Sequence, residues 1–190
     1  MNKLNIIIAG AGIGGLAAAS CLVLAGHRVT IYEKAKTLGE VGAGIQLSAP
    51  AGHVLRHIGV DEPLRPVEVR PEFMIVRDAI TANESKRVQL NDHEAKYGAP
   101  YRLLHRHDLH SALLVRANQL TGNTIQLNHQ ATGFEENENG ITVFFANGTS
   151  ATCDLLIGAD GIKSNVRDQI AGDSPLEYTG DAAWRILIPT

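Results

Sequence analysis

The chain has 190 residues, of which 44% are hydrophobic and 19% charged, and its formal net charge at pH 7 is −3. This allows one ordinary domain, or one domain and part of another, with a substantial apolar core. The sequence contains no block of Lys and Arg, which argues against a nucleic-acid partner, and no apolar stretch long enough to cross a bilayer, so we expect a cytoplasmic protein.

The N-terminal segment predicts a strand, a glycine turn, a helix and a second strand. Leu4–Ala9 is continuous and rich in β-branched residues, as in a buried parallel strand. Gly12–Ala25 predicts a helix rich in Ala and Leu, and Gly26 is its C-terminal stop. Arg28–Glu33 predicts the second strand. This order is typical of the β-α-β unit of a parallel sheet.

The turn of this unit reads GAGIGG and carries a G-x-G-x-x-G pattern. Gly10 permits the tight turn, Gly12 lets a pyrophosphate approach the backbone, and Gly15 lets helix and strand pack closely. Glu33 follows about 20 residues later, where an acid accepts hydrogen bonds from an adenosine ribose and disfavours a 2′-phosphate. The pattern predicts a bound dinucleotide and leaves FAD and NAD as alternatives.

The middle of the chain alternates loops with short elements. Gly42–Gly59 predicts a Gly-rich loop and then a helix, and Pro63–Pro71 a proline-punctuated connection. Glu72–Leu90 predicts two strands around a polar turn. A further helix is predicted to start from an N-cap at Asp108 and to run to about Leu120.

A β-meander is predicted next. One strand ends near Glu136, the second is Ile141–Ala146, and Asn147–Gly148 predicts a two-residue hairpin turn with both residues at positive φ. The third strand leads into CDLLIGADG, after which Ser164–Ala171 predicts a short helix. The final AAWRILIPT predicts the beginning of another strand.

The segment CDLLIGADGIKSNVRDQI allows two interpretations. A buried strand ends in Asp160 and Gly161, and Ser164 and Arg167 stand at the start of the next helix. These residues can present hydrogen bonds and charge to a dinucleotide. Alternatively, Ser164 only caps the helix and Arg167 lies on the surface. The residues themselves leave both interpretations open.

The histidines and cysteines are candidates for a metal site or a disulfide. The histidines form two groups, which are His53 with His57, and His105 with His107 and His110. Neither group has a nearby Cys or a clear set of carboxylates, so we expect helix-surface or loop positions and no metal. Cys21 and Cys153 are far apart in apolar runs, which favours buried thiols over a disulfide.

Three segments together resemble the class A flavoprotein monooxygenases, most closely the branch of salicylate hydroxylase and 6-hydroxynicotinate 3-monooxygenase. They are IIIAGAGIGGLAAASCLVLAGHRVTIYEK, LGEVGAGIQLS and LLIGADGIKSNVR, and HRHDLHSALL and YTGDAAWR fit the same branch. The resemblance covers essentially the whole chain. Because similar enzymes are much longer, it implies the N-terminal half of an enzyme.

The resemblance also implies a set of site residues. The pyrophosphate of the cofactor would be bound by Gly10, Gly12, Gly14 and Gly15, and the adenosine ribose by Glu33 and Lys34. Arg106 would bind the pyrophosphate or the ribityl chain, and the backbone of Ala131 would contact the adenine. Asp160 and Gly161 would form the Asp-Gly motif that contacts the cofactor. Gln46 would contact substrate near the flavin ring. No side chain of this chain is implied as a catalytic acid or base.

The implied fold class is α/β, a Rossmann-like FAD/NAD(P)-binding domain with a β-meander and inserted substrate-domain strands. The FAD-binding domain would comprise residues 1–66 and 105–175. Residues 67–104 and 176–190 would form part of a substrate-domain sheet.

The implied activity is aromatic hydroxylation. NAD(P)H would reduce FAD, molecular oxygen would form a flavin C4a-hydroperoxide, and that species would hydroxylate a small aromatic acid or hydroxylated heteroaromatic. Two alternatives stay open, a non-catalytic dinucleotide-binding fragment and an NAD-dependent dehydrogenase. Because an incomplete substrate sheet leaves backbone N–H and C=O groups unpaired, we also expect a homo-dimer or aggregation.

Overall fold

The computed structural model describes residues 2–39, 43–138, 140–172 and 175–182. The strands are β1 (Asn5–Ala9), β2 (Arg28–Tyr32), β3 (Gly44–Leu47), β4 (Phe73–Arg77), β5 (Glu84–Gln89), β6 (Arg102–His105), β7 (Ile125–Gln126), β8 (Ala131–Asn137), β9 (Gly140–Phe145), β10 (Ser150–Cys153) and β11 (Leu155–Gly158). The helices are α1 (Ile13–Leu24), α2 (Ala49–His57), α3 (Asp61–Leu64), α4 (His93–Tyr97), α5 (Arg106–Thr121) and α6 (Asn165–Ala171), with a 3-10 turn at Arg65–Val67. Two compact units divide the described residues: those within 2–39 and 113–182, and those within 43–112.

The first unit contains a parallel sheet with the strand order β11-β1-β2-β7. β1 is central, and Ala9 at its end lies beside Gly158 of β11 and Tyr32 of β2. The carboxyl ends of these strands therefore share one edge of the sheet, which is where ligands bind in open α/β sheets. This confirms the predicted Rossmann-like α/β fold.

The second layer of this unit is the predicted meander, an antiparallel sheet in the order β10-β9-β8. It packs on one face of the parallel sheet through a core cluster of buried residues, which are Ile7, Ala9, Ala131, Val143, Phe145, Cys153 and Val166. Strand alternation turns Ile6 and Ile8 to the opposite face, and α1 contacts β1 and β2. Burial raises the pKa of the Cys153 thiol. Both cysteines are free thiols, but only Cys153 is buried as predicted, whereas Cys21 is half-buried.

The second unit is built on an antiparallel ribbon of β3 and β6. On its other edge, β6 pairs with a single residue: Leu103 and Val69 exchange two backbone hydrogen bonds, of 2.8 and 2.9 Å. Helix α2 contacts β3, α3 and α4. β4 and β5 form the predicted two-stranded hairpin around a polar turn.

Several local predictions were wrong. The predicted loop before α2 contains β3, a strand that exists only because it pairs with β6, far along the chain. Asp108 is not an N-cap, because the Arg106 N–H donates to the Ala43 carbonyl and α5 begins there. The segment Pro63–Pro71, predicted as a connection, contains the end of α3 and the whole 3-10 turn. The strand predicted for AAWRILIPT lies almost wholly outside the described residues.

The hairpin turn between β9 and β10 also differs from the prediction. Of its two central residues only Gly148 takes a positive φ, +82°. Asn147 instead accepts hydrogen bonds from the backbone N–H and the hydroxyl of Thr149, at 3.0 and 2.6 Å. The asparagine is favoured here by its side chain, which mimics a turn, and not by tolerance of the left-handed region.

Candidate cofactor-binding site

A pocket of about 230 Å³ lies in the first unit, at the carboxyl ends of β1, β2 and β11. It is lined by Ala9, Gly10, Gly12, Tyr32, Glu33, Lys34, His129, Gln130, Ala131, Ala159, Asp160, Gly161, Lys163 and Asn165. Four different segments of the chain thus converge where the sheet topology predicts a ligand.

The glycines of the first turn have different tasks. Gly10 has a φ of +111°, and a Cβ there would collide with the carbonyl of Ala159. A Cβ on Gly15 would collide with the Gly10 carbonyl. Neither Gly10 nor Gly15 therefore has room for a side chain, because backbone atoms of the protein fill the space. A Cβ on Gly12 would meet no protein atom within 4 Å, so Gly12 presents bare backbone to open space.

Helix α1 begins at this open space. Gly12 is its N-cap, and no side chain among the described residues caps the helix there. The first backbone N–H groups of a helix have no partner within it, and the helix dipole is positive at this end. The arrangement suits an anion such as a pyrophosphate.

Glu33 connects the end of β2 to the glycine turn. One carboxylate oxygen accepts a hydrogen bond from the Ala11 N–H at 2.7 Å, and the other accepts one from the Ala35 N–H at 2.8 Å. Each oxygen keeps a further lone pair for a ligand hydroxyl. Sequence reasoning found the residue, but it did not find this structural role.

The loop after β11 is held by its own side chains. The Asp160 carboxylate accepts hydrogen bonds from the Ser164 hydroxyl at 2.5 Å and the Val166 N–H at 3.3 Å. Ser164 in turn caps α6 by accepting from the Arg167 N–H at 2.9 Å. Ser164 is therefore a helix cap, as the second interpretation states, and the Arg167 guanidinium donates hydrogen bonds to Asp168 and to the Ile162 carbonyl. Asp160 and Gly161 line the pocket, and their contact with a dinucleotide remains a prediction.

An aromatic cluster forms another wall. The Tyr32 ring stacks on Phe145 with centroids 4.4 Å apart, and His129 meets Tyr32 edge-on at 5.3 Å. Burial, and secondarily Cys153, raise the pKa of Tyr32. His129 Nδ1 lies 2.7 Å from the Leu127 carbonyl, which can only accept, so Nδ1 carries a proton.

Most of the residues predicted to bind the cofactor line this pocket. Those lining the pocket are Gly10, Gly12, Glu33, Lys34, Ala131, Asp160 and Gly161. Gly14 and Gly15 are not among the described residues that line it. Arg106 and Gln46 belong to the second unit, so their predicted roles remain predictions.

Sequence reasoning missed several lining residues. They are Tyr32, His129, Gln130, Lys163 and Asn165. Lys163 and Asn165 stand in the quoted GADGIKSNVR segment, whose Asn165 side chain donates to the Ala131 carbonyl at 2.7 Å. His129 and Gln130 carry no signal of their own beyond their position immediately before Ala131.

Comparison with known families identifies the cofactor class. Residues 3–184 match the family described as "FAD binding domain". The chain belongs to the FAD-binding domain family. This favours FAD over NAD as the dinucleotide of the pocket and counts against the dehydrogenase alternative.

Curated relatives of this FAD-binding domain are aromatic hydroxylases. It is 38% identical over 187 residues to 3-hydroxybenzoate 6-hydroxylase 1 of Aquipseudomonas alcaligenes, covering 97% of this chain and 47% of that protein. It is 34% identical over 189 residues to 6-hydroxynicotinate 3-monooxygenase of Bordetella bronchiseptica, covering 99% and 49%. The chain thus spans about half the length of the curated relatives it matches.

Solved structures share the fold of this FAD-binding domain. Klebsiella pneumoniae HpxO complexed with FAD and uric acid superposes with a TM-score of 0.78 at 29% identity, over 91% of this chain and 43% of that one. The tetrameric form of 2-methyl-3-hydroxypyridine-5-carboxylic acid oxygenase gives 0.76 at 30% identity, over 90% and 43%.

The residues of the pocket fit FAD. Bare backbone at Gly12 and the uncapped start of α1 suit the pyrophosphate, and the carboxylate of Glu33 suits ribose hydroxyls. Among the described residues, no group of three or more His, Cys, Asp or Glu side chains could hold a metal ion. Within the same part of the chain, no helix is long and apolar enough to span a membrane.

Proposed function

We propose that this chain is the FAD-binding portion of an NAD(P)H-using monooxygenase that hydroxylates an aromatic acid or a hydroxylated heteroaromatic. One observation carries the proposal. The pocket joins the glycine turn, Glu33 and the Asp160–Gly161 loop at one edge of a parallel sheet, in a chain whose relatives include hydroxylases of 3-hydroxybenzoate and 6-hydroxynicotinate.

The residues of this chain would bind and orient the cofactor. Gly12 and the start of α1 would hold the pyrophosphate, together with Gly14, Gly15 and Arg106, and Glu33 with Lys34 would hold the adenosine ribose. FAD, when bound, supplies the redox chemistry, since it can take electrons from NAD(P)H and activate molecular oxygen. Gln46 would contact the aromatic substrate.

The proposal extends to domain organisation and partners. Residues 1–66 and 105–175 would form the FAD-binding domain, and residues 67–104 and 176–190 part of the substrate-domain sheet. The partners would be a small aromatic molecule, molecular oxygen and a second copy of the chain. A cytoplasmic location would supply NAD(P)H.

A titration of the purified chain with FAD, and in parallel with NAD, tests the cofactor assignment. We expect FAD to bind with a change in its visible absorption band. Gly12→Val should abolish this binding, because its side chain fills the open space facing the turn. The FAD-free chain should stay folded and lose only about 1 kcal/mol of stability, because Val is a poorer N-cap than Gly. Ser150→Val, at an exposed strand position outside the pocket lining, is the control. Binding of NAD alone, or of neither dinucleotide, would overturn the assignment.

The hydroxylase activity is tested separately. With FAD-loaded protein, 3-hydroxybenzoate or 6-hydroxynicotinate should stimulate NAD(P)H-dependent oxygen consumption and yield a hydroxylated product. Consumption that is the same with and without any aromatic acid would leave a flavin-binding protein and remove the hydroxylase proposal.

A further inference from the structure

The two faces of the β3–β6 ribbon differ in character. Leu47, Arg102 and Leu104 point to the buried face, with exposures of 8%, 0% and 4%. The opposite face carries Gln46 directly across from Leu103, and Leu103 in turn lies beside Val69. Gln46 and Val69 are exposed. This face therefore presents the Gln46 amide next to the apolar Leu103 and Val69, with the His105 imidazole on the same face two residues beyond Leu103.

Tyr101 determines how that amide is oriented. It precedes β6 and, by strand alternation, lies on the same face as Leu103. Its hydroxyl donates a hydrogen bond of 2.8 Å to Gln46 Oε1. The amide nitrogen, Nε2, has no hydrogen-bond partner among the described residues. The NH2 end of Gln46 is thus the end that is left for a ligand.

The Tyr101 ring is itself supported by neighbours. It meets the His93 ring edge-on, with centroids 5.7 Å apart, and His93 packs on Tyr97 at 4.5 Å. A phenol held by ring contacts loses little further freedom when its hydroxyl donates, so the bond to Gln46 is pre-organised. Rotating the Gln46 amide by half a turn would leave the Tyr101 O–H without an acceptor among the described residues, so the bond favours the orientation with Oε1 towards Tyr101.

We propose that Tyr101 is a positioning residue that holds the Gln46 amide with its two N–H donors outward, and that this face selects aromatic ligands carrying a hydrogen-bond acceptor such as a carboxylate or phenolate oxygen. The inference rests on the proposed function, in which Gln46 contacts the substrate. The apolar neighbours, Leu103 and Val69, would contact the ring, while the amide would select the substituent.

The test compares two probes that differ only in their polar group. Benzoate carries an acceptor, and benzylamine, protonated at neutral pH, carries only donors. Their dissociation constants are measured by calorimetry on the FAD-loaded protein and on three variants. Tyr101→Phe removes the hydroxyl, and Gln46→Glu replaces the amide donors by an acceptor. Tyr97→Phe is the matched control, since its hydroxyl has no hydrogen-bond partner among the described residues.

We expect the unmodified protein to prefer benzoate. Tyr101→Phe should reduce that preference about fivefold, the size of one net hydrogen bond, and Gln46→Glu should reduce it by more than about tenfold, because a carboxylate opposes the anion. Tyr97→Phe should leave the preference unchanged, and FAD affinity should stay constant in all three variants.

Two results would overturn the inference while leaving the proposed function intact. The first is an unchanged preference in Tyr101→Phe, and the second is a loss of FAD affinity in that variant, which would indicate a general structural role. If neither probe binds to the unmodified protein, the substrate role of Gln46 fails as well.

Discussion

Glu33 has a structural role in addition to the ribose-binding role proposed for it. Its position after β2 is the one from which an acid reaches a ribose, and its two carboxylate oxygens also accept the N–H groups of Ala11 and Ala35. The side chain therefore fastens the glycine turn to the end of the neighbouring strand. The turn and the acid are coupled even before a cofactor binds.

Glu33→Ala should therefore destabilise the chain in the absence of FAD. Loss of two hydrogen bonds to a carboxylate should lower the free energy of unfolding by about 1–3 kcal/mol, in addition to weakening FAD binding. Unfolding of the FAD-free variant in urea measures this, with Lys34→Ala as the neighbouring control. If FAD-free stability is unchanged while FAD affinity falls, Glu33 serves the ligand alone.

Three elements of the second unit meet at one buried cation. Arg102 on β6 is fully buried and donates to Asp61 of α3 at 2.7 Å. Its Nη1 also lies 2.9 Å from Glu68 Oε2, an ion pair whose geometry falls outside that of a hydrogen bond. This cluster therefore holds the β3–β6 ribbon that carries Gln46, and Arg106 follows directly at the start of α5.

Arg102→Met should be strongly destabilising, because it removes the buried cation that faces Asp61 and Glu68 and leaves these two buried carboxylates only the half-exposed Arg65 and Arg70. A loss of about 3–5 kcal/mol in unfolding free energy is expected for one partner of a buried ion pair. Arg56→Met is the matched control, because Arg56 and Glu94 are about half exposed and such pairs contribute at most about 1 kcal/mol. Equal losses in the two variants would contradict a special role for the buried cluster.

At the scale of the whole molecule, one part of the chain presents apolar surface without cover among the described residues. In β4, Phe73, Met74, Ile75 and Val76 are consecutive and each is 39–46% exposed. Among the described residues, β4 pairs with β5 and with no other strand. A two-stranded hairpin is marginally stable alone in water, and its free edges invite pairing.

We expect the chain to self-associate through this hairpin. The double substitution Met74→Lys and Val76→Lys alters one face of β4, because the two residues alternate with Phe73 and Ile75. It should shift the chain to smaller species in sedimentation velocity, whereas Thr132→Lys, on an exposed strand position of the first unit, should not. An unmodified chain that sediments as a monomer would refute the expectation.

The sequence predictions were correct where the interacting residues are close together in the sequence, and they failed where the partners are far apart. The β-α-β unit, α6 and the β4–β5 hairpin depend on contacts within short stretches, and the sequence predicted all of them. The strand β3 was missed because its Gly-rich sequence has weak strand propensity and its partner is β6. Asp108 was misassigned because β6 runs directly into α5, a junction that long-range pairing determines.

The sequence by itself determined the glycine turn and the acid at Glu33, because each belongs to a local pattern whose chemistry follows from residue type and spacing. The Asp160–Gly161 motif was named only through the family resemblance, since the residues of that segment left two interpretations open. Only the tertiary structure decided that Asn165 donates a hydrogen bond to Ala131, that Tyr32 and His129 form a wall of the pocket, and that Tyr101 donates a hydrogen bond to Gln46. Asn165 and Ala131 are 34 residues apart and Tyr101 and Gln46 are 55 apart. Such pairs arise from packing of whole elements, and no local periodicity encodes them.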